Sequence, residues 1–277
     1  MFLDINGNSI YYEVYGAGIP VVTIHGFTVD HRVMKGFLEE FIPADNYKRI
    51  YFDLPGMGKT KTNKQLYKAE EMYEIIKHFI RQVIGGEKYI LAGESYGGYL
   101  MRKLIKDEPE KILGAMFICP VVIPEHAKRN CPEHKIMYNG ITDNRTRESE
   151  VYKGLTEAAA FMDRETLENF EKNVFPGMEI ADLEFLPVYS GSGYGFTENV
   201  DDIREPFRKP VLFLLGKQDH VVGYRDAEKI MDNYPRASVC VLDESGHNLQ
   251  IEKRKIAEVL ALDWLERIER VMETEGK

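Results

Sequence analysis

The chain has 277 residues and a formal net charge of −9: long enough to bury one large core, and too acidic for the basic patch that phosphate binding needs, so nucleic acid is excluded as a partner. Its three cysteines, at 119, 131 and 240, make neither a complete disulfide framework nor a close-spaced zinc set; no metal or cofactor is expected, and Cys119 and Cys240 read as small buried core residues. The longest apolar run, near residues 112–119, is too short for a membrane span, and the opening Met1-Phe2-Leu3-Asp4 lacks a basic segment followed by an apolar one, so a cytoplasmic protein without a membrane partner is expected.

The first elements read as a hairpin, with strand formers at 2–5 and 9–15 around Asn6-Gly7-Asn8. A continuous apolar strand follows at 20–24, ending in His25-Gly26-Phe27-Thr28, and continuous apolarity predicts cover on both faces. A helix is expected over 31–41, and a strand over 48–52 that ends in Asp53-Leu54-Pro55-Gly56-Met57-Gly58. Met72, Ile75, Ile76, Phe79, Ile80, Val83 and Ile84 recur at helical spacing before the stop at Gly85-Gly86. Residues 88–92 then form an apolar strand, and Leu100, Met101, Leu104 and Ile105 mark the helix that follows it. Between these two lies Gly93-Glu94-Ser95-Tyr96-Gly97-Gly98, which places Ser95 on a tight strand-to-helix turn beside unpaired N–H groups at the helix start. A further strand is expected at 114–122.

From 124 to 205 the alternation breaks. Helices are expected near 151–162 and 165–175, the second stopped by Pro176-Gly177, with a loose stretch at 190–195. An insertion of this length between core strands reads as a helical cap, giving a core at 1–122, a cap at 123–205 and the rest of the core at 206–277. The alternation resumes with strands at 210–216 and 238–242 and helices at 224–234 and 256–272. Strands alternating with helices predict an α/β fold with a mainly parallel sheet and ligands at the carboxyl ends of its strands.

Three groups follow strands in that way: Ser95, Asp219 after the strand ending at Gly216, and His247 after the strand ending near Leu242. His247 would take the Ser95 proton and return one to the leaving group, while Asp219 would hold the imidazole tautomer. Asp243 and Asp226 are rivals for the acid, read as solvated or capping residues; His220 neighbours Asp219 but points away; His25 reads as a fastener of its own turn.

In this order, His25-Gly26-Phe27, the segment 53–58, the segment 93–98, Gly216-Lys217-Gln218-Asp219 and Ser245-Gly246-His247 resemble the α/β-hydrolase family, over essentially the whole chain except the cap. The resemblance implies an oxyanion hole made by the backbone N–H groups of Phe27 and Tyr96. It implies a serine hydrolase of a small carboxylic ester or similar acyl compound. Proline-type aminopeptidases and carbon–carbon bond hydrolases share the fold, although the former resemble His-Gly-Gly-Pro-Gly where this chain has His25-Gly26-Phe27-Thr28-Val29. A receptor that keeps the triad is the alternative outside enzymes.

Gly56-Met57-Gly58-Lys59-Thr60 looks like the end of a phosphate-binding loop, but Asp53 stands where that loop needs glycine and its carboxylate would repel phosphate, so the turn reads as structural. The basic cluster over 59–64 reads as a solvated loop. Glu94 shares the string Gly-Glu-Ser-Tyr with serine carboxypeptidases, and is the candidate to bind a polar group of a small-molecule substrate beside its structural role. Phe161, Met162, Phe170, Phe175, Phe185, Tyr189 and Phe196 are candidate pocket liners or cap core. One sequence leaves a homo-oligomer open.

Overall fold

The computed structural model describes residues 1–62 and 66–275. The hairpin forms as expected from strands β1 (Phe2–Ile5) and β2 (Asn8–Tyr15), with Asn6 and Gly7 both at positive φ in the turn. Strands β3 (Ile19–Ile24) and β4 (Tyr47–Phe52) flank helix α1 (Arg32–Leu38), which is shorter than the expected 31–41. Helix α2 (Ala69–Ile84) buries the face carrying Met72, Ile76, Phe79 and Ile80. It starts where the Glu71 carboxylate accepts the N–H groups of Tyr67 and Lys68, and it ends at Gly85 in the left-handed conformation.

Strand β5 (Tyr89–Glu94), helix α3 (Tyr96–Asp107) and strand β6 (Ile112–Ile118) complete the first part of the core. The insertion then carries short strands β7 (Tyr138–Asn139) and β8 (Phe161–Met162), which pair with each other alone. It also carries helices α4 (Asn144–Glu148), α5 (Glu150–Thr156), α6 (Arg164–Asn173), α7 (Phe175–Glu179) and α8 (Phe185–Ser192). Strands β9 (Val211–Gly216) and β10 (Ala237–Leu242) and helices α9 (Leu249–Glu252) and α10 (Arg254–Glu275) close the chain.

The main sheet runs β1-β2-β4-β3-β5-β6-β9-β10. It is parallel from β4 to β10, and β1 and β2 add antiparallel pairings at one edge. Strands β5, β6 and β9 are buried along their whole length, as strands covered on both faces must be. No helix among the described residues is long and apolar enough to cross a membrane.

Most departures from expectation lie in the insertion. Phe161 and Met162 are strand, not helix, because the backbone there turns to pair with β7. Pro176 does not stop a helix: α6 ends at Asn173, and Pro176 sits in the first turn of α7, where its missing N–H costs no hydrogen bond. Residues 190–192 belong to α8 and are not loose. Outside the insertion, residues Arg225–Asn233 coil as a 3₁₀ helix. Cys119 is buried but Cys240 is only partly so, since β10 is the sheet edge. Of the basic cluster over 59–64, positions 63 and 64 lie outside the described residues, and Thr60 is buried, its hydroxyl accepting the Tyr11 N–H at 2.9 Å.

Two apolar clusters hold the molecule. The large one joins the sheet to its flanking helices. The small one gives the insertion its own core, Leu155, Met162, Phe170 and Val174, anchored on Val33 of α1 and Ile251 of α9.

Candidate active site

Ser95 leaves β5 at φ 51°, ψ −117°, a conformation that costs an L-residue energy and survives only where surroundings force it. Those surroundings are two close backbone approaches. A Cβ on Gly97 would stand 2.0 Å from the Ile24 carbonyl oxygen, and one on Gly26 would stand 3.0 Å from the Ser95 Cβ. Strand β3, its following turn and the first turn of α3 are therefore in contact, and only glycine fits at the seam. Gly97→Ala should cost more than about 3 kcal/mol, because its neighbours are backbone and cannot move aside; urea unfolding checks this.

Asp219 is held in a turn after β9, where its Oδ1 accepts the N–H groups of Val221 at 2.9 Å and Val222 at 3.1 Å. His247 enters on a loop pressed against the end of β9: a Cβ on Gly216 would stand 2.2 Å from the Gly246 carbonyl oxygen. The three groups meet. His247 Nδ1 lies 2.9 Å from Asp219 Oδ2, and His247 Nε2 lies 3.0 Å from Ser95 Oγ. A carboxylate only accepts, so Nδ1 carries a proton, and when the ring is neutral Nε2 is the nitrogen left to accept from the Ser95 hydroxyl. Burial alone would lower the His247 pKa, but the Asp219 charge and hydrogen bond, and then the Glu94 charge, raise it to about 9. Burial pushes the Asp219 carboxyl up, and His247 with the two backbone donors brings it below its ordinary value.

The N–H groups of Phe27 and of Tyr96, at the first turn of α3, have no backbone acceptor among the described residues. Phe27 is fixed by aromatic packing, edge-on to Tyr96 and to Tyr194 at ring separations of 5.8 and 5.3 Å. His25 fastens the turn as expected: its Nδ1 donates to the Gly26 carbonyl at 2.7 Å and its Nε2 accepts the Leu54 N–H at 2.9 Å. Both ring nitrogens are spent on backbone groups, so His25 has none left to act as a base, and burial lowers its pKa.

The remaining candidates separate cleanly. Asp243 is exposed and bonded to Gln218, far from the role of acid. Asp226 is buried rather than solvated, because its carboxylate accepts the Asn130 N–H at 2.8 Å and ties the start of the insertion to the core. His220 stacks on His134 with ring centroids 4.1 Å apart and takes no part in the Asp219 bond. Asp53 is spent on its own turn, accepting from the N–H of His31, its ring Nδ1 and the N–H of Lys59, so no phosphate cradle exists there.

Two groups bring metal-ligand atoms within 4.8 Å: Cys119, Asp219 and His247, and Asp30, His31 and Asp53. Neither suits an ion. The Cys119 thiol donates to the Gly246 carbonyl at 3.7 Å and Asp219 is bonded to His247, while Asp30 is engaged by Arg32 and Asp53 by His31.

Over these groups lies a cavity of about 850 Å³. Its floor includes Phe27, Glu94, Ser95 and His247, and its roof comes from the insertion, including Arg129, Ala158, Val174 and Tyr194. Of the aromatic liners expected from sequence, Phe170 and Phe196 face it. Phe161, Met162, Phe175, Phe185 and Tyr189 do not; Met162 and Tyr189 are fully buried in packing instead. Glu94 faces the cavity, and its carboxyl Oε1 is 3.4 Å from His247 Nε2.

Sequence reasoning missed Glu252. Its buried carboxylate accepts the N–H groups of Gly246 at 2.9 Å, Asn248 at 3.1 Å, Ala160 at 2.8 Å and Phe161 at 3.0 Å, which clamps both sides of His247 to the insertion. A lone glutamate in a helical run carries no sign of such a task. Glu252→Ala should leave four donors unpaired, three of them buried, and lower activity through a misplaced His247; urea unfolding beside kcat separates the two effects.

A family model described as "Serine aminopeptidase, S33" matches residues 19–254. A Bacillus subtilis AB hydrolase superfamily protein is 23% identical over 91% of this chain and 94% of its own length. A pimeloyl-[acyl-carrier protein] methyl ester esterase of Legionella pneumophila is 23% identical over 86% of this chain and 92% of its own. Among solved structures, an alpha/beta superfamily hydrolase from Oenococcus oeni superposes with a TM-score of 0.86 at 27% identity, covering 94% of this chain and 96% of that one. A thermophilic esterase from Thermogutta terrifontis has the same fold, with a TM-score of 0.69 at 19% identity over 96% and 97% of the two chains.

Proposed function

The chain belongs to the α/β-hydrolases, within the serine aminopeptidase S33 family, and from that premise we propose that it hydrolyses a small carboxylic ester or similar acyl compound through an acyl-enzyme on Ser95. One observation carries the reading: Ser95, His247 and Asp219 stand in a hydrogen-bonded row of 3.0 and 2.9 Å beneath a cavity of small-molecule size.

Ser95 Oγ bonds to the carbonyl carbon as its proton passes to His247 Nε2, and the negative charge on the carbonyl oxygen is met by the N–H groups of Phe27 and Tyr96. The carbon–oxygen bond to the leaving alkoxide breaks as Nε2 returns the proton. Water then repeats the sequence, giving its proton to Nε2 and releasing the acid from Oγ. Asp219 holds the tautomer and stabilises the imidazolium, Glu94 faces the substrate, and residues 123–205 act as the cap that excludes bulk water.

The family description and the buried Glu94 carboxyl favour a second reading, release of an N-terminal residue from a peptide, with the substrate amine held by an acidic group. A panel of p-nitrophenyl esters and aminoacyl aryl amides, proline included, tests both. Ester turnover exceeding amide turnover supports the first reading. Faster amide turnover replaces it, and tight binding without turnover of either would favour a receptor.

A further inference from the structure

We infer that Glu94 is a second acidic partner of His247, set on the very nitrogen that must accept the Ser95 proton, and that it confines hydrolysis to alkaline pH; this rests on the serine-hydrolase reading above.

Two groups compete for one position. Nε2 has Ser95 Oγ at 3.0 Å and Glu94 Oε1 at 3.4 Å. Glu94 is only 4% exposed and cannot swing into water. Its other oxygen, Oε2, lies against the oxyanion turn, where a Cβ on Gly26 would come within 2.2 Å of it, and the Gly26 N–H is a backbone group that favours its charged form. A buried carboxylate with no other cationic side chain beside it is stabilised most by a positive charge on the imidazole it faces.

That proton on Nε2 is what disables the base. While Nε2 stays protonated, held so by the charge of the Glu94 carboxylate 3.4 Å away, it has no lone pair for the Ser95 hydroxyl, and Ser95 stays unactivated. Its loss leaves Nε2 open to Ser95 and a charged Glu94 that favours the imidazolium of the next step. The surroundings reinforce the trap. Asp219, after β9, adds a second negative charge to the imidazole, while Arg129 from the insertion opposes it. Buried Cys119 after β6 and Tyr194 in the insertion both have raised pKa values and stay neutral, and His220, lowered by burial, adds little positive charge. Burial raises Glu94 to about 7 against the pull of His247, with Asp219 adding to the rise. Together with the rise of His247 to about 9, the pair keeps its proton through neutral pH, and the two ionisations belong to the pair rather than to either residue.

The rate at which a fluorophosphonate labels Ser95, followed from about pH 6 to about pH 10, reads the trap without a known substrate. The wild-type rate should climb about tenfold per pH unit towards a limb near 9. Glu94→Gln, with its fold checked by circular dichroism, should move the limb down by at least about one unit. It would then label about tenfold faster than wild type at pH 7. A structural role would slow labelling at every pH, so an unmoved limb, or one moved upward, overturns the inference. If the variant does not fold, nitrogen NMR of the wild-type histidine rings decides: the Nε2 proton should persist above about pH 8, and its loss near pH 7 or below overturns the inference. Wild type that resists the label at every pH would instead remove the serine-hydrolase reading, and the ring titration would still decide the pair.

Discussion

Ser95→Ala should lower kcat on the best ester substrate by about 10⁵- to 10⁶-fold, which is about 7 to 8 kcal/mol of barrier. The size follows from what is lost. Without Oγ there is no covalent intermediate, and water must attack directly from a position that nothing in the elbow prepares. The oxyanion donors and the cavity remain, so the variant should bind substrate or product with an affinity close to that of the wild type, and stopped-flow or calorimetric binding can verify this. The fold should tolerate the change. Ser95 makes its backbone bonds to Ile118 and Val121 through its own N–H and C=O, which alanine keeps. Stability should fall by no more than about 1 kcal/mol.

Asp219→Asn is expected to cost about 10⁴-fold in kcat while leaving the geometry in place. The reason lies in the second oxygen. Oδ1 accepts two backbone donors, from Val221 and Val222, and Oδ2 faces His247. An asparagine must turn its carbonyl oxygen to the two backbone donors, which leaves its amide N–H pointing at His247 Nδ1. Nδ1 must then accept, the ring proton moves to Nε2, and Nε2 can no longer take the Ser95 proton. A steady-state assay of Asp219→Asn beside Asp219→Ala tests the argument: the asparagine variant should be no faster than the alanine variant although it keeps more hydrogen bonds.

The candidate site was legible because ligand-facing groups on a parallel sheet follow strands, and the strands of this core are mostly unbroken apolar runs. Ser95 comes directly after β5, Asp219 three residues after β9 and His247 five after β10. Glycine supplied the rest of the signal, since Gly97 has no alternative where the Ile24 carbonyl approaches so closely. The insertion gave no such guide. Its strands are two residues long, its helices short, and its pairing of Tyr138 with Phe161 joins positions that local pattern cannot relate. For the same reason Pro176 looked like a stop when it is a start. Pocket lining was the least legible feature, because Phe170 and Phe175 are close in sequence yet only Phe170 faces the cavity. Glu252 could not be found at all, because its partners are backbone N–H groups, which carry no residue identity.

The central claim is that Ser95 is an activated nucleophile. Intact mass after exposure to a fluorophosphonate at alkaline pH, with peptide mapping and Ser95→Ala as control, tests it most directly. One adduct per chain is expected, on the peptide carrying Ser95, and none in the variant. Folded protein that takes up no adduct, or takes it on another residue, would contradict it.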